Sequence, residues 1–164
     1  MRRALPLLAA ALLSGCTLQP LYPGGSRSQV SQALRSISVA PIPGRAGYHV
    51  RGALVDRMGE PSGPVRYRLE VELDDRITGF GIRLDDAVTR ERRTLRARYR
   101  LVDAQRGTVV LDATAGSDAG IDVVGSEYAT VAAEQTALER LSVEVAEQII
   151  SRVALYASRT PATP

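Results

Sequence analysis

The only cysteine in the 164-residue chain is Cys16, preceded directly by Leu13-Ser14-Gly15. A large apolar residue, two small residues and a cysteine resemble the bacterial lipobox. The small side chains let the backbone enter a peptidase, and the thiol accepts a lipid before cleavage. The residues upstream agree. Met1-Arg2-Arg3 is a short positive start, and Ala4 to Leu13 is an apolar run of ten residues. That run is half the length of about 20 residues that a membrane span needs, and it fits a secretory signal segment. Residues 1–15 are therefore expected to be a cleaved signal peptide, with lipid carried on Cys16. A lone thiol in an oxidising compartment has no internal partner, and lipidation removes the liability. Several acyl chains, each worth about 0.8 kcal/mol per buried CH₂, would anchor the protein stably. Thr17 rather than Asp follows the cysteine, which favours sorting to the outer membrane by the rule used in enteric bacteria.

The second feature that could do chemistry is a row of arginines. From Val88 to Asp103 the residues alternate, with Leu95, Ala97, Tyr99 and Leu101 on one side and Arg90, Arg92, Thr94, Arg96, Arg98 and Arg100 on the other. Guanidinium groups bind phosphate and carboxylate bidentately, so such a face suits an anionic partner such as a phosphorylated glycolipid. The preceding strand supplies another account. In a hairpin whose paired residue numbers sum to 170, Glu70 faces Arg100, Glu72 faces Arg98 and Asp74 faces Arg96. The same register sets Leu69 against Leu101, Val71 against Tyr99 and Leu73 against Ala97, so both faces agree. Arg90, Arg92 and Arg93, near the hairpin tip, have no obvious partner beyond Glu91 and the Asp85-Asp86 turn. Arg90, Arg92, Arg93, Arg96 and Arg98 are the candidate anion-binding residues, with the tip half favoured. An ordinary solvated strand face is the alternative.

Other chemistries lack their residues. His49 is the sole histidine, so neither a zinc site nor a Ser-His-Asp triad can be completed from sequence motifs. No phosphate-binding glycine loop is present; Gly79-Phe80-Gly81 lacks the rest of the pattern. A non-enzyme without cofactor or metal is expected. Every one of the 21 basic residues is Arg, and removing Arg2 and Arg3 leaves 19 against 18 acids. That near-neutral balance argues against a general nucleic-acid surface.

The elements that must position these residues follow from periodicity. Residues 16–34 read as the lipidated N-terminus and an extended tether, with Pro20, Pro23, Gly24 and Gly25. A single domain is expected over residues 35–158, followed by a flexible tail over 159–164. Within it, Ile37 to Ile42 reads as a strand limited by Pro41 and Pro43, Gly44 to Gly47 as a loop, and Tyr48 to Met58 as a helix. Val65 to Ile77 alternates cleanly, and Gly79-Phe80-Gly81 marks a bend or bulge. Val88–Asp103 and Thr108–Val124 follow as strands. Ser126 then precedes a long helix over Glu127–Tyr156, with an apolar stripe of Ala137, Leu138, Leu141, Val145, Ile149 and Val153. The order β-α-β-β-β-α predicts an α+β two-layer sandwich, a four-stranded sheet with two helices on one face.

Cys16-Thr17-Leu18-Gln19-Pro20-Leu21-Tyr22 is similar to the C-G-x-x-P-L-Y opening of the LPS-assembly lipoprotein family, LptE, of alphaproteobacterial type. Tyr67-Arg68-Leu69, Tyr99-Arg100-Leu101-Val102-Asp103 and the helix residues Tyr128-Ala129, Ala133-Glu134, Arg140, Ala146-Glu147-Gln148-Ile149 and Arg152 also resemble that family. The departures are Thr17 in place of Gly and a more basic stretch over Arg93–Arg100. The resemblance implies an outer-membrane lipoprotein that plugs a large β-barrel LPS translocon, assists its assembly and binds lipopolysaccharide. The competing expectation is an auxiliary periplasmic lipoprotein of a lipid-trafficking ABC transporter, or an activator of a peptidoglycan synthase.

Overall fold

The computed structural model describes residues 29–82, 88–123 and 125–160. Cys16, the leader and the Asp85-Asp86 turn lie outside the described residues. Seven elements follow in chain order: α1 (Gln29–Leu34), β1 (Ile37–Val39), α2 (Gly44–Met58), β2 (Tyr67–Ile82), β3 (Val88–Asp103), β4 (Val109–Asp122) and α3 (Glu127–Arg159). The strands form one sheet in the order β1-β2-β3-β4. β1 runs parallel to β2, and the other neighbours are antiparallel. The expected α+β two-layer sandwich is the observed architecture.

Alternation decides which face is covered. Leu69, Val71, Leu95, Ala97, Tyr99 and Leu101 are buried, all at odd positions, because successive side chains of a strand point to opposite faces. They meet Leu138, Leu141, Val145, Ile149 and Val153 of α3 and Val50, Leu54 and Met58 of α2 in one core. β4 contributes the small residues Ala115 and Ala119 to that core. Their size leaves room for α3 to lie close over β4. There Gln148 donates to the Gly116 carbonyl and accepts from the Gly116 amide, both at 3.1 Å. Ser126 caps α3 by accepting from the Ala129 amide.

The β2–β3 register sums to 170 as expected, with Glu70 opposite Arg100, Glu72 opposite Arg98 and Asp74 opposite Arg96. Boundaries differ elsewhere. Residues 29–34, read as tether, form α1, and Leu34 is only 4% exposed because it packs into the core. β1 ends at Val39 instead of Ile42, since Pro41 and Pro43 have no amide hydrogen for the ladder. α2 starts at Gly44, inside the expected loop. Gly47 is buried there, and a Cβ on it would stand 2.4 Å from the Ile42 carbonyl oxygen. β2 continues through Gly79-Phe80-Gly81 to Ile82 without a break in pairing to β3 up to Phe80. α3 extends to Arg159, three residues past the expected end.

Candidate ligand surface on the open sheet face

The even positions of β2, β3 and β4 lie opposite the helices and form three parallel rows. The centre row, on β3, is Arg90, Arg92, Arg96, Arg98 and Arg100. On one side β2 supplies Glu70, Glu72 and Asp74, and on the other β4 supplies Asp112, Asp118 and Asp122. The arginines are shared between the flanks. Arg100 lies 3.4 Å from Glu70 and 3.5 Å from Glu72. Arg98 pairs with Asp112 at 2.9 Å, Arg96 with Asp118 at 3.1 Å, and Arg90 with Asp122 at 3.2 Å. Thus Arg96 and Arg98 turn to β4 and not to the β2 carboxylates that face them in register. Asp74 bonds Arg76 on its own strand. Each exposed pair contributes only about 0.2–1 kcal/mol, but the rows agree with a single register and oppose a slip.

The carboxylates respond to this setting. The Arg98 guanidinium bonded to Asp112 holds that carboxyl below the usual aspartate range. The Thr94 hydroxyl and then Arg96 do the same for Asp118. Arg96 lies across β4 at Gly116, where an added Cβ would be 2.5 Å from the Arg96 Cδ. Around these groups the twisted face encloses a shallow depression of about 680 Å³ lined by Glu72, Asp74, Arg96, Arg98 and Asp118.

The tip arginines do not form one group. Arg90 and Arg92 stand on the open face, Arg90 paired with Asp122 and the Arg92 guanidinium 5.5 Å from the centroid of Phe80. Among the described residues Arg92 makes no ion pair. Arg93 is at an odd position and so points to the helix side. It grips Asp75 bidentately at 2.6 and 2.9 Å and donates to the Glu134 carbonyl of α3 at 2.8 Å. Its side chain is only 12% exposed. The expectation of no partner beyond Glu91 and the Asp85-Asp86 turn, which lies outside the described residues, is corrected: Asp122 of β4 pairs with Arg90, Asp75 of β2 with Arg93, and Phe80 gives Arg92 a cation–π contact. The parity of residue 93 was legible in the same alternation that placed its neighbours. The β4 row was legible too, as Asp112, Asp118 and Asp122 share even positions.

Next to Arg93, Glu91 approaches Glu134. Burial first, then the Glu134 charge and a hydrogen bond to it, raise the Glu91 carboxyl above its usual range. His49 is on α2, edge-on to Tyr48 with ring centroids 5.5 Å apart. Among the described residues no group of His, Cys, Asp and Glu is arranged to hold a metal ion, and no helix is long and apolar enough to cross a membrane.

The model of the family described as LptE, lipopolysaccharide-assembly, matches residues 34–153. No curated protein matches the chain. Among solved structures, a candidate lipoprotein from Caulobacter crescentus CB15 is similar at 25% identity and TM-score 0.69, over 80% of this chain and 97% of that one. The rare lipoprotein B from Shewanella oneidensis shares the fold at 8% identity and TM-score 0.59, over 75% and 96%. A minor lipoprotein from Acinetobacter baumannii does so at 18% identity and TM-score 0.58, over 78% and 96%.

Proposed function

Because the chain belongs to the LptE lipopolysaccharide-assembly family, we propose that it is an outer-membrane lipoprotein, anchored through Cys16, that seats in a large β-barrel translocon and assists its assembly and the insertion of lipopolysaccharide. The observation that carries this reading is the family match, which runs from the end of α1 almost through α3. The open sheet face supports it. A polar, charge-laddered surface suits the wet interior of a wide barrel, whose lumen-facing residues are polar. The action proposed is binding and placement, without catalysis.

On this reading lipid phosphates meet the arginines best where carboxylates compete least. That singles out Arg92, stacked on Phe80, with Arg90 beside it. Arg96 and Arg98 would have to exchange aspartate for phosphate. Arg93 supports the fold beneath them.

The test is a gentle-detergent pull-down of tagged, lipidated protein from native outer membranes, with mass spectrometry of the complex. A large barrel recovered in stoichiometric amount is expected. Recovery with ABC-transporter components or a cell-wall synthase would sink the reading and favour an auxiliary role there.

A further inference from the structure

The two edges of the sheet are treated differently. On β4 the outward main chain is met by α3 at Gly116, where Gln148 pairs with both groups, and beside it the Ser117 hydroxyl donates to the Glu144 carboxylate at 2.5 Å. On β2 the outward residues are the odd ones, since Ala40 donates to the Leu69 carbonyl and the Arg66 carbonyl is taken from the other side by Ala104. β1 uses this edge only at Tyr67, Arg68 and Leu69, because Pro41 and Pro43 turn the chain away into α2. From Val71 to Gly79, among the described residues, no strand pairs with it. Asp75 shows what this leaves bare: its side chain is 23% exposed, yet the residue as a whole is exposed, so the main chain carries the exposure.

We propose that this vacant edge of β2 takes an extended segment of a partner protein as an added strand, one in which basic and apolar residues alternate. Four outward residues (Leu73, Asp75, Ile77 and Gly79) supply main-chain donors and acceptors over roughly 20 Å, at about 3.3 Å per residue. Strand addition of this kind draws affinity from the main chain and specificity from alternate side chains. The side chains specify the occupant. Toward the open face the edge presents Glu70, Glu72 and Asp74, with Glu72 74% exposed and its nearest arginine at 3.5 Å. Across the register on β3 stand Arg100, Arg98 and Arg96, of which only Arg100 bonds to this row, and an outer strand with basic residues at alternate positions supplies the missing cations. Toward the helix side the edge presents Leu73 and Ile77, the latter 41% exposed, which calls for apolar residues between the basic ones.

A second copy fits less well. Antiparallel self-pairing about Glu72 sets acid against acid, and pairing about Asp75 leaves Glu70 and Glu72 opposite Phe80 and Thr78. The chain's own segment 17–28 has prolines at 20 and 23 and a single basic residue, Arg27. The inference rests on the edge itself and stands whether or not the arginine face binds lipid.

The probe is the synthetic peptide Thr-Val-Glu-Val-Arg-Val-Arg-Val-Arg, the antiparallel complement of residues 70–78, added to the full-length lipidated chain in detergent micelles. Amide hydrogen exchange is read residue by residue. The expected result is at least tenfold slower exchange at Leu73, Asp75 and Ile77, with Thr114 and Asp118 on β4 unchanged. The same peptide with Glu in place of Arg should give no protection. Glu72→Arg combined with Asp74→Arg should abolish the effect; both side chains are exposed, and circular dichroism checks that the fold is kept. Absence of protection at millimolar peptide, equal protection by the Glu-for-Arg peptide, or protection on β4 instead would overturn the proposal. Protection that appears without peptide and grows with protein concentration would assign the edge to a second copy and overturn it as well.

Discussion

Arginines a few residues apart do opposite jobs here, and the face each occupies decides which. Arg93 stands between sheet and helix, bidentate on Asp75 and bonded to the Glu134 carbonyl. Removing it leaves Asp75 uncompensated and frees a contact that ties α3 to β3. Arg93→Ala should lower stability by about 1–3 kcal/mol, between the values for an exposed and a fully buried pair, measured by urea unfolding. Arg90→Gln with Arg92→Gln should leave the urea midpoint nearly unchanged and weaken lipopolysaccharide binding several-fold; intact affinity in a folded variant would remove these two residues from the ligand surface. Glu91 makes a pH prediction. Its carboxyl titrates above its usual value when folded, so its stabilising contribution is complete below the unfolded pKa of about 4.3 and is lost as pH rises through the folded one. Glu91→Gln should therefore raise stability at pH 7, with the advantage fading as the medium is acidified below that range. Asp112 and Asp118, with depressed values, act in the opposite sense: their contribution is present above the unfolded aspartate pKa and falls away as pH drops through the folded values.

At the scale of elements, short-range chemistry explains most starts and stops. Prolines end β1, Ser126 opens α3, and alternation sets the faces of β2 and β3. The junction before α2 depends on Gly47. The helix passes so close to Ile42 that a Cβ would overlap its carbonyl carbon at 2.7 Å as well as the oxygen. Gly47→Ala should cost about 1–3 kcal/mol through overpacking, despite alanine's better helix propensity; a thermal melt showing equal or greater stability would contradict that contact. α1 escaped the sequence reading because its six residues contain one serine and two glutamines and follow a proline- and glycine-rich stretch. Its helix is held by Leu34 reaching the common core, a contact made with residues far along the chain.

For the whole molecule, one covered face and one open face are the organising fact, and the proposed anchor, Cys16, is outside the described residues. If the lipid is the only membrane attachment, Cys16→Ser should release the protein from washed membranes while its circular dichroism stays that of the folded domain; retention in the membrane fraction would point to a strong protein anchor. Much of this plan was legible in the chain. The order of strands and helices, the hairpin register and the family resemblance rest on alternation and motif, which are local along the sequence. Even the odd parity of Arg93 was written there. What only the tertiary structure decided were the choices among competing partners. Arg96 and Arg98 face β2 acids in register yet bond to β4, because guanidiniums reach diagonally and Gly116 leaves space for Arg96 to lie flat. The closing of the β4 edge by Gln148 and the vacancy along β2 likewise depend on where α3 and β1 come to rest, and packing between distant segments sets that, not the pattern within any one of them.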